Sequence, residues 1–158
     1  MALVFRLKPW QIQLMKRILI LNGPNLNLLG TRQPEVYGTT TLKDIEVICA
    51  NRAAKLKIEV ECRQSNHEGV LIDWIHAARG NFNGIIINAG AYTHTSIAIM
   101  DAISSVEIPT LELHLSDIHA REDFRHVSYI GKVAFDVIMG HGADGYPMAI
   151  ERMIQELT

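Results

Sequence analysis

The sequence has little excess charge, few cysteines and no long apolar run, and each shortage excludes a class of protein. Its 158 residues carry a formal net charge of −2, so no broad electrostatic field attracts nucleic acid or an anionic membrane. No apolar stretch approaches the roughly 18 residues that cross a bilayer. The only two cysteines, Cys49 and Cys62, are too few for a disulfide framework, which favours a reducing, cytoplasmic compartment. We therefore predict no nucleic-acid partner and no membrane contact.

The common signatures of cofactor, hydrolase and metal sites are also missing. The segment 22–30 lies where a dinucleotide loop would lie, but it contains neither GxGxxG nor GxxxxGK[ST]. No GxSxG occurs, and Asn88 stands where a phospho-receiver needs a carboxylate. The side chains of His114, His119 and Glu122 are metal ligands by type, but their spacing matches no zinc template. We expect no cofactor and no metal. A flavin- or nucleotide-binding module and a non-catalytic structural oligomer stay open as alternatives.

The sequence contains enough apolar residues to form one hydrophobic core. Apolar residues make up 48% of the chain and charged residues 20%, a balance typical of a folded domain rather than of a disordered chain. Residues 1–14 are interrupted by Arg6, Lys8 and Pro9 and lack a small-residue cleavage site, so they make a poor signal peptide. We interpret 1–14 as a non-catalytic extension and 15–158 as a single catalytic domain.

Short apolar runs alternate with stretches of helical periodicity along this domain. The runs that predict strands are 17–22, 58–63, 84–88, 110–114 and 134–139. Possible capping boxes at Thr41/Asp44 and Ser65/Glu68 begin two of the helices between them. A third helix is predicted over 95–104, and the last runs from Tyr146 to Leu157. The order β-α-β-α-β-α-β-β-α predicts an α/β fold, a doubly wound five-stranded parallel sheet with helices on both faces.

Polar side chains follow the predicted strands where each strand ends. They are Asn25 after the first strand, 64–66 after the second, Asn88 and His94 after the third, and His114 and Ser116 after the fourth. The carboxyl ends of parallel strands meet at one edge of the sheet, where ligands bind in such folds. The sequence therefore predicts one crevice that these segments share.

The residue types near this crevice indicate proton chemistry. Tyrosine has an ordinary pKa near 10, so Tyr37 can act as a base near pH 7 only if its pKa falls by about three, or about 4 kcal/mol. A nearby guanidinium such as Arg32 favours tyrosinate. His114 is a natural acid partner near neutrality. Glu112 precedes it by two residues and so points to the same face of the sheet, where it can support the imidazole.

Two arginines, Arg121 and Arg125, lie four residues apart in the polar loop 116–126. They could form a solvated face, but a guanidinium fork is also well suited to hold a planar anion such as a carboxylate. The pair therefore predicts that the crevice binds or encloses an anionic substrate.

Four motifs in order make the chain recognisable. They are NGPNLNLLGTRQPEVYG at 22–38, RQSNHEG at 63–69, NAGAYTHTS at 88–96 and ELHLSDIHAREDFRHVSY at 112–129. With them, the chain closely resembles the type II 3-dehydroquinate dehydratases from about Lys16 to Leu157. This resemblance implies a flavodoxin-like, cofactor-free lyase that assembles as a homo-oligomer, a dodecamer of four trimers. Its substrate would be 3-dehydroquinate, dehydrated to 3-dehydroshikimate through an enolate, in the shikimate pathway or in quinate breakdown.

The resemblance also implies roles for individual residues. Tyr37 would remove the C2 proton, and Arg32 would lower the pKa of that tyrosine and stabilise the transition state. Asn25 would hold a water against the enolate oxygen. His114 would protonate the leaving C1 hydroxyl, and Glu112 would support it.

The remaining implied roles concern substrate binding. The residues that would hold the substrate are Asn88, His94 and Arg125 at hydroxyls, the Leu115 amide and Ser116 at the carboxylate, and Asp101 from a neighbouring subunit. Arg121 would help to close a mobile lid over 30–37. One departure is mild: the loop reads Ser116-Asp117 where many members have Ser-Asn, and we expect the Asp117 carboxylate to point away from the site.

Overall fold

The described residues form five strands in the predicted positions, the four predicted α-helices, and a short fifth α-helix at Pro34–Tyr37 within a segment that was predicted as a loop. The computed structural model describes residues 15–31 and 34–158, with the backbone alone at 36 and 37, so the interpretation of 1–14 concerns residues outside those described. The strands are β1 Arg17–Asn22, β2 Glu59–Gln64, β3 Gly84–Asn88, β4 Thr110–His114 and β5 Asp136–Met139. The helices are α1 Pro34–Tyr37, α2 Leu42–Leu56, α3 Glu68–Ala78, α4 Ile97–Val106 and α5 Gly145–Leu157.

The strands form one parallel sheet in the order β2-β1-β3-β4-β5. This is the flavodoxin-like order, in which the chain turns back at β1 and β3 and opens a crevice at their carboxyl ends. Asn22 of β1 is in register with Gln64 of β2 and with Asn88 of β3. The fold class predicted from the sequence is therefore confirmed, and the polar strand ends lie side by side.

The core lies in two layers because successive side chains of a strand point to opposite faces of the sheet. Ile18 and Ile20 pack with α2 and α5 on one face, whereas Leu19 and Leu21 pack with α3 and α4 on the other. All four of these β1 side chains are fully buried, and burying each contributes roughly 1.5–3 kcal/mol. A continuous apolar run is thus what a central strand covered on both faces requires.

One predicted capping box is present and the other is not. At the start of α2, Thr41 Oγ1 accepts a hydrogen bond from the Asp44 amide and Asp44 Oδ2 accepts one from the Thr41 amide. These hydrogen bonds hold the pKa of Asp44 below its ordinary value. The Ser65/Glu68 box is wrong: Ser65 Oγ accepts from the amide of His67, only two residues on, and α3 begins at Glu68 without a side-chain cap.

The described elements also differ from the prediction in other places. The predicted 95–104 helix begins later, at Ile97, because a 3-10 turn occupies Gly90–His94 and Ser96 Oγ then caps α4 by accepting from the Ile99 amide. Strand β5 begins at 136 instead of 134. The polar loop 116–126 contains two 3-10 turns, Ile118–Ala120 and Asp123–Arg125, which leave no helical periodicity in the sequence because each spans a single turn.

Two smaller observations complete the fold. Both cysteines are free thiols; Cys49 is buried and Cys62 partly buried. Within residues 15–31 and 34–158, every helix is too short or too polar to cross a membrane.

Candidate active site

The carboxyl ends of β1, β3 and β4 open into a cleft that encloses about 720 Å³, including its part open to solvent. The predicted site residues that line it are Asn25, Asn88, His94, His114, Leu115, Ser116, Arg121 and Arg125. The other lining residues, which the sequence analysis did not single out, are Pro24, Leu26, Leu29, Gly90, Ala91 and Ile118. Seven of these fourteen lining residues carry polar or charged side chains that converge on one concave space, an arrangement suited to a small polar molecule.

The loop after β1 reaches the cleft because it passes very close to the loop after β3. The Gly23 amide donates to the carbonyl of Asn88 at 2.7 Å. A Cβ at position 23 would lie only 2.4 Å from the Ala89 carbonyl oxygen, so only glycine fits this crossing. The next turn places Asn25 in the left-handed region, with φ of 67°, a conformation that asparagine tolerates better than most residues.

The segment after β2 supports this loop from behind. Asn66 Oδ1 accepts the Asn25 amide at 3.0 Å, and Gln64 Nε2 donates to the Gly23 carbonyl at 3.1 Å. The prediction that 64–66 reach the crevice itself is therefore wrong, since none of the three lines the cleft. Their polar side chains satisfy the backbone of a tight loop instead, which a list of polar residues cannot distinguish from ligand binding.

His114 and Glu112 form a buried pair at the floor of the cleft. His114 Nε2 lies 2.6 Å from Glu112 Oε1, and the two residues are 6% and 2% exposed. Their separation by two residues on β4 places both on the same face of the sheet, as predicted. Because Glu112 engages Nε2, the other ring nitrogen, Nδ1, is the one available to exchange a proton with a ligand.

His94 stacks beside this pair and is held in one tautomer. Its ring lies 6.5 Å from the His114 ring, centroid to centroid, at an interplanar angle of 15°. Nδ1 is 2.7 Å from the Val127 carbonyl, an acceptor, so Nδ1 carries the proton and Nε2 is an acceptor. Burial lowers the pKa of His94 from its ordinary value of 6.5. The imidazole is therefore neutral near pH 7.

Asn88 is oriented by a fully buried tyrosine from the last helix. Tyr146 donates its hydroxyl proton to Asn22 Oδ1 at 2.6 Å and accepts from Asn88 Nδ2 at 3.4 Å. Asn88 Oδ1 also accepts the Gly90 amide at 3.3 Å. Burial raises the pKa of Tyr146 well above its ordinary value, so the phenol stays protonated. The sequence pattern marked Tyr146 only as a helix core residue, because its polar partners lie more than 50 residues away along the chain.

The two arginines of the loop lie at the rim of the cleft and share one carboxylate. Glu122 Oε2 lies 3.0 Å from Arg125 Nε and 3.6 Å from Arg121 Nε. Both guanidinium groups line this side of the cleft, and a guanidinium fork is suited to hold a planar anion such as a carboxylate. The rim therefore favours an anionic ligand.

Apart from Glu112, which lies behind His114, three predicted site residues are not placed in the cleft by the described part of the chain. Arg32 and the Tyr37 side chain lie outside the described residues. Asp101 is exposed on α4 and does not line the cleft of its own subunit. Asp117 is also exposed, and its Oδ1 accepts the His119 amide at 2.9 Å, so its carboxylate is turned into its own loop, as expected.

The open question of a metal site concerns three residues that the fold separates. His114 lies buried at the cleft, whereas His119 is exposed and packs against the ring of His126 at 5.8 Å. Glu122 pairs with the arginines. Within the described ranges, no three His, Cys, Asp or Glu side chains group as metal ligands.

Comparison with known proteins decides among the function classes that the sequence left open. Residues 16–154 match the family model described as Dehydroquinase class II. This chain belongs to the class II dehydroquinase family. One relative in the family is the 3-dehydroquinate dehydratase of Dinoroseobacter shibae, 64% identical over 141 residues that cover 89% of this chain and 94% of the relative. Another is the catabolic 3-dehydroquinase 2 of Aspergillus flavus, 54% identical over 144 residues that cover 91% and 96%.

Solved structures of class II dehydroquinases have the same fold. The type II dehydroquinase of Butyrivibrio crossotus superimposes with a TM-score of 0.87 at 45% identity, covering 89% of this chain and 98% of its own. The enzyme of Propionibacterium acnes gives 0.85 at 40% identity, covering 89% and 97%. The resemblance drawn from the four sequence motifs is thus confirmed.

Proposed function

We propose that this protein is a hydro-lyase that converts 3-dehydroquinate to 3-dehydroshikimate and water. The observation that carries the proposal is the buried Glu112–His114 pair, which lies at the floor of a cleft with an arginine-lined rim. The substrate is a polyhydroxylated carboxylate, and the guanidinium groups of Arg121 and Arg125 at the rim are suited to its charge. The two free thiols fit a reducing compartment, and we place the reaction in the cytoplasm, on the shikimate pathway.

The proposed chemistry divides into two proton transfers. Tyr37, with its pKa lowered by Arg32, takes the C2 proton, whose acidity the neighbouring ketone increases. The electron pair moves onto the ketone oxygen as an enolate, against which Asn25 holds a water. The enolate then collapses to a C1–C2 double bond and expels the C1 hydroxyl, which His114 protonates, so that water leaves. General acid and base catalysis of this kind contributes about 10²–10⁴-fold each, and no cofactor takes part.

Glu112 has a supporting part in this scheme. Its carboxylate accepts the Nε2 proton of His114, which directs Nδ1 into the cleft and stabilises the imidazolium before the proton is given up. Asn88 and His94 hold substrate hydroxyls, with His94 Nε2 as an acceptor. Ser116 and the Leu115 amide receive the carboxylate.

Asp101 leads us to propose that the working unit is an oligomer. It lies four residues into α4, about 6 Å along the helix axis from Ile97, and it is exposed and outside its own cleft. A short carboxylate there is available to the cleft of a neighbouring subunit. We therefore propose a trimer in which α4 lies at the interface, within a dodecamer of four trimers.

The direct test is to follow the absorbance of the conjugated enone product after 3-dehydroquinate is added to the purified full-length protein. We expect turnover by the wild type and a loss of kcat of about 10²–10⁴-fold in Tyr37→Phe with a modest change in KM. Wild-type protein without enone formation would refute the proposed function. Near-normal turnover in Tyr37→Phe would leave the reaction intact and assign the base to another residue.

A further inference from the structure

We infer that Ser128 is a positioning residue for the proton transfer by His114 and that it acts through Glu112. The inference rests on the proposed function, in which His114 is the acid. Ser128 does not line the cleft, so it has no place among the substrate contacts. Its role is to hold the carboxylate that in turn holds the imidazole.

Two hydrogen bonds in series connect Ser128 to the acid, and a third orients its hydroxyl. Ser128 Oγ donates to Glu112 Oε1 at 2.5 Å, and the same oxygen receives His114 Nε2 at 2.6 Å. The Gly131 amide donates to Ser128 Oγ at 2.8 Å. Because Gly131 uses a lone pair of the hydroxyl, the hydroxyl proton is directed to Glu112. The serine is thus oriented as a donor before any substrate binds.

The backbone around Ser128 is held on both sides. His94 Nδ1 donates to the carbonyl of Val127 at 2.7 Å, and the Tyr129 amide donates to the carbonyl of Thr93 at 2.9 Å. The residues on either side of Ser128 are therefore bound to the segment that carries His94, while Ser128 itself is bound to the Glu112–His114 pair. These hydrogen bonds hold the Ser128 hydroxyl in a fixed position relative to Glu112, as the positioning of a catalytic group requires.

A carboxylate in this place needs a second donor. Glu112 is only 2% exposed, so solvent cannot supply the hydrogen bonds that a buried charge requires. A carboxylate held by His114 alone is free to rotate about its last bond, and the imidazole then rotates with it. With Ser128 on the same oxygen, the carboxylate and the ring have one arrangement.

The test compares kcat and KM for Ser128→Ala, Ser128→Thr and a control, Thr110→Val. We expect Ser128→Ala to lower kcat by about tenfold or more, since it loosens a group worth about 10²–10⁴-fold, while KM changes less than about twofold because the substrate contacts remain. Ser128→Thr keeps the hydroxyl and should recover most of kcat. Thr110 lies on β4, the strand that carries Glu112. Thr110→Val removes a partly buried hydrogen bond from the threonine hydroxyl to the Ile108 carbonyl and should leave kcat unchanged.

A double variant separates positioning from general loss of structure. If Ser128 acts through Glu112, Ser128→Ala combined with Glu112→Gln should be no slower than Glu112→Gln alone, within about twofold. Independent, multiplying losses would overturn the inference, as would wild-type kcat in Ser128→Ala. If the alanine variant does not fold, Ser128→Cys serves instead: a weak thiol donor should give a reduced kcat, and full kcat would overturn the inference. A wild type inactive on 3-dehydroquinate would refute the proposed function itself.

Discussion

Removing the Tyr146 hydroxyl tests the buried polar network that orients the cleft. Tyr146 is fully buried, and its hydroxyl donates to Asn22 Oδ1 and accepts from Asn88 Nδ2. Tyr146→Phe keeps the ring and its packing, so the change is limited to one oxygen atom. The variant leaves the side-chain oxygen Oδ1 of Asn22 without this donor, in a residue that is only 1% exposed.

The magnitude follows from that unsatisfied oxygen. A buried acceptor left without its donor costs about 1–3 kcal/mol. For a chain of this length, 1 kcal/mol lowers Tm by roughly 2–4 °C, so a central value of about 2 kcal/mol predicts a fall of roughly 4–8 °C. The 3.4 Å bond to Asn88 adds little stability because it is long. Its loss should appear as a raised KM, since Asn88 lines the cleft and we propose that it holds a substrate hydroxyl.

Thermal unfolding followed by circular dichroism measures the effect, with Tyr92→Phe as the matched control. The Tyr92 hydroxyl donates to the Asn66 carbonyl at 2.9 Å in a solvent-exposed bond, and water replaces such a partner at little cost. We expect a clear fall in Tm for Tyr146→Phe and a much smaller one for Tyr92→Phe. Equal values of Tm for Tyr146→Phe and wild type would refute the reasoning that this network is satisfied by protein groups alone.

Three further predictions follow from the site. Burial lowers the pKa of His94, so the unfolded chain binds a proton at this histidine at a higher pH than the folded chain does. The free energy of unfolding therefore falls as the pH drops below about 6.5. Between about pH 7.5 and 5.5, Tm should fall less in His94→Gln than in the wild type, and an equal fall in both would contradict this. Borohydride added with substrate should leave activity intact, because a reducible Schiff base needs a lysine amine at the ketone; mass spectrometry showing a substrate adduct on lysine would contradict it. Refolding inactive Tyr37→Phe together with inactive Asp101→Ala should restore some activity in mixed oligomers; verified mixed oligomers without activity, or a fully active Asp101→Ala, would contradict a shared site.

The parts of the fold that follow from local sequence were predictable. The runs at 17–22 and 84–88 coincide with β1 and β3, because a strand covered on both faces is rich in apolar residues. The segment 110–114 coincides with β4, which is equally buried although it alternates leucines with Thr110, Glu112 and His114. The start of α3 was not predictable in the same way. Ser65 can cap a helix or close a short turn, and the local sequence fits both. In the structure Ser65 accepts from the His67 amide, while the next residue, Asn66, holds the Asn25 loop, which is distant in sequence.

Some residues of the site could likewise be predicted from the sequence, and others could not. Residues that follow strands, such as Asn88 and His114, could be placed in the cleft from topology alone. Glu112 could be paired with His114 from the period of the strand. Ser128 and Tyr146 could not be connected to the site, because their partners lie 16 and 124 residues away and no periodic pattern records contacts between separate loops and helices.

The left-handed backbone at Asn25 affects how its contribution should be measured. An alanine scan is the usual first experiment, yet a Cβ-bearing residue without a short polar side chain costs roughly 1–2 kcal/mol at a positive φ, here 67°. Asn25→Ala would therefore distort the turn and remove the carboxamide together. Asn25→Gly removes the same carboxamide without the steric penalty, and Asn25→Asp keeps the shape while replacing its donor with an acceptor. The glycine and aspartate variants, compared with each other, isolate the chemistry of the side chain from the geometry of the turn.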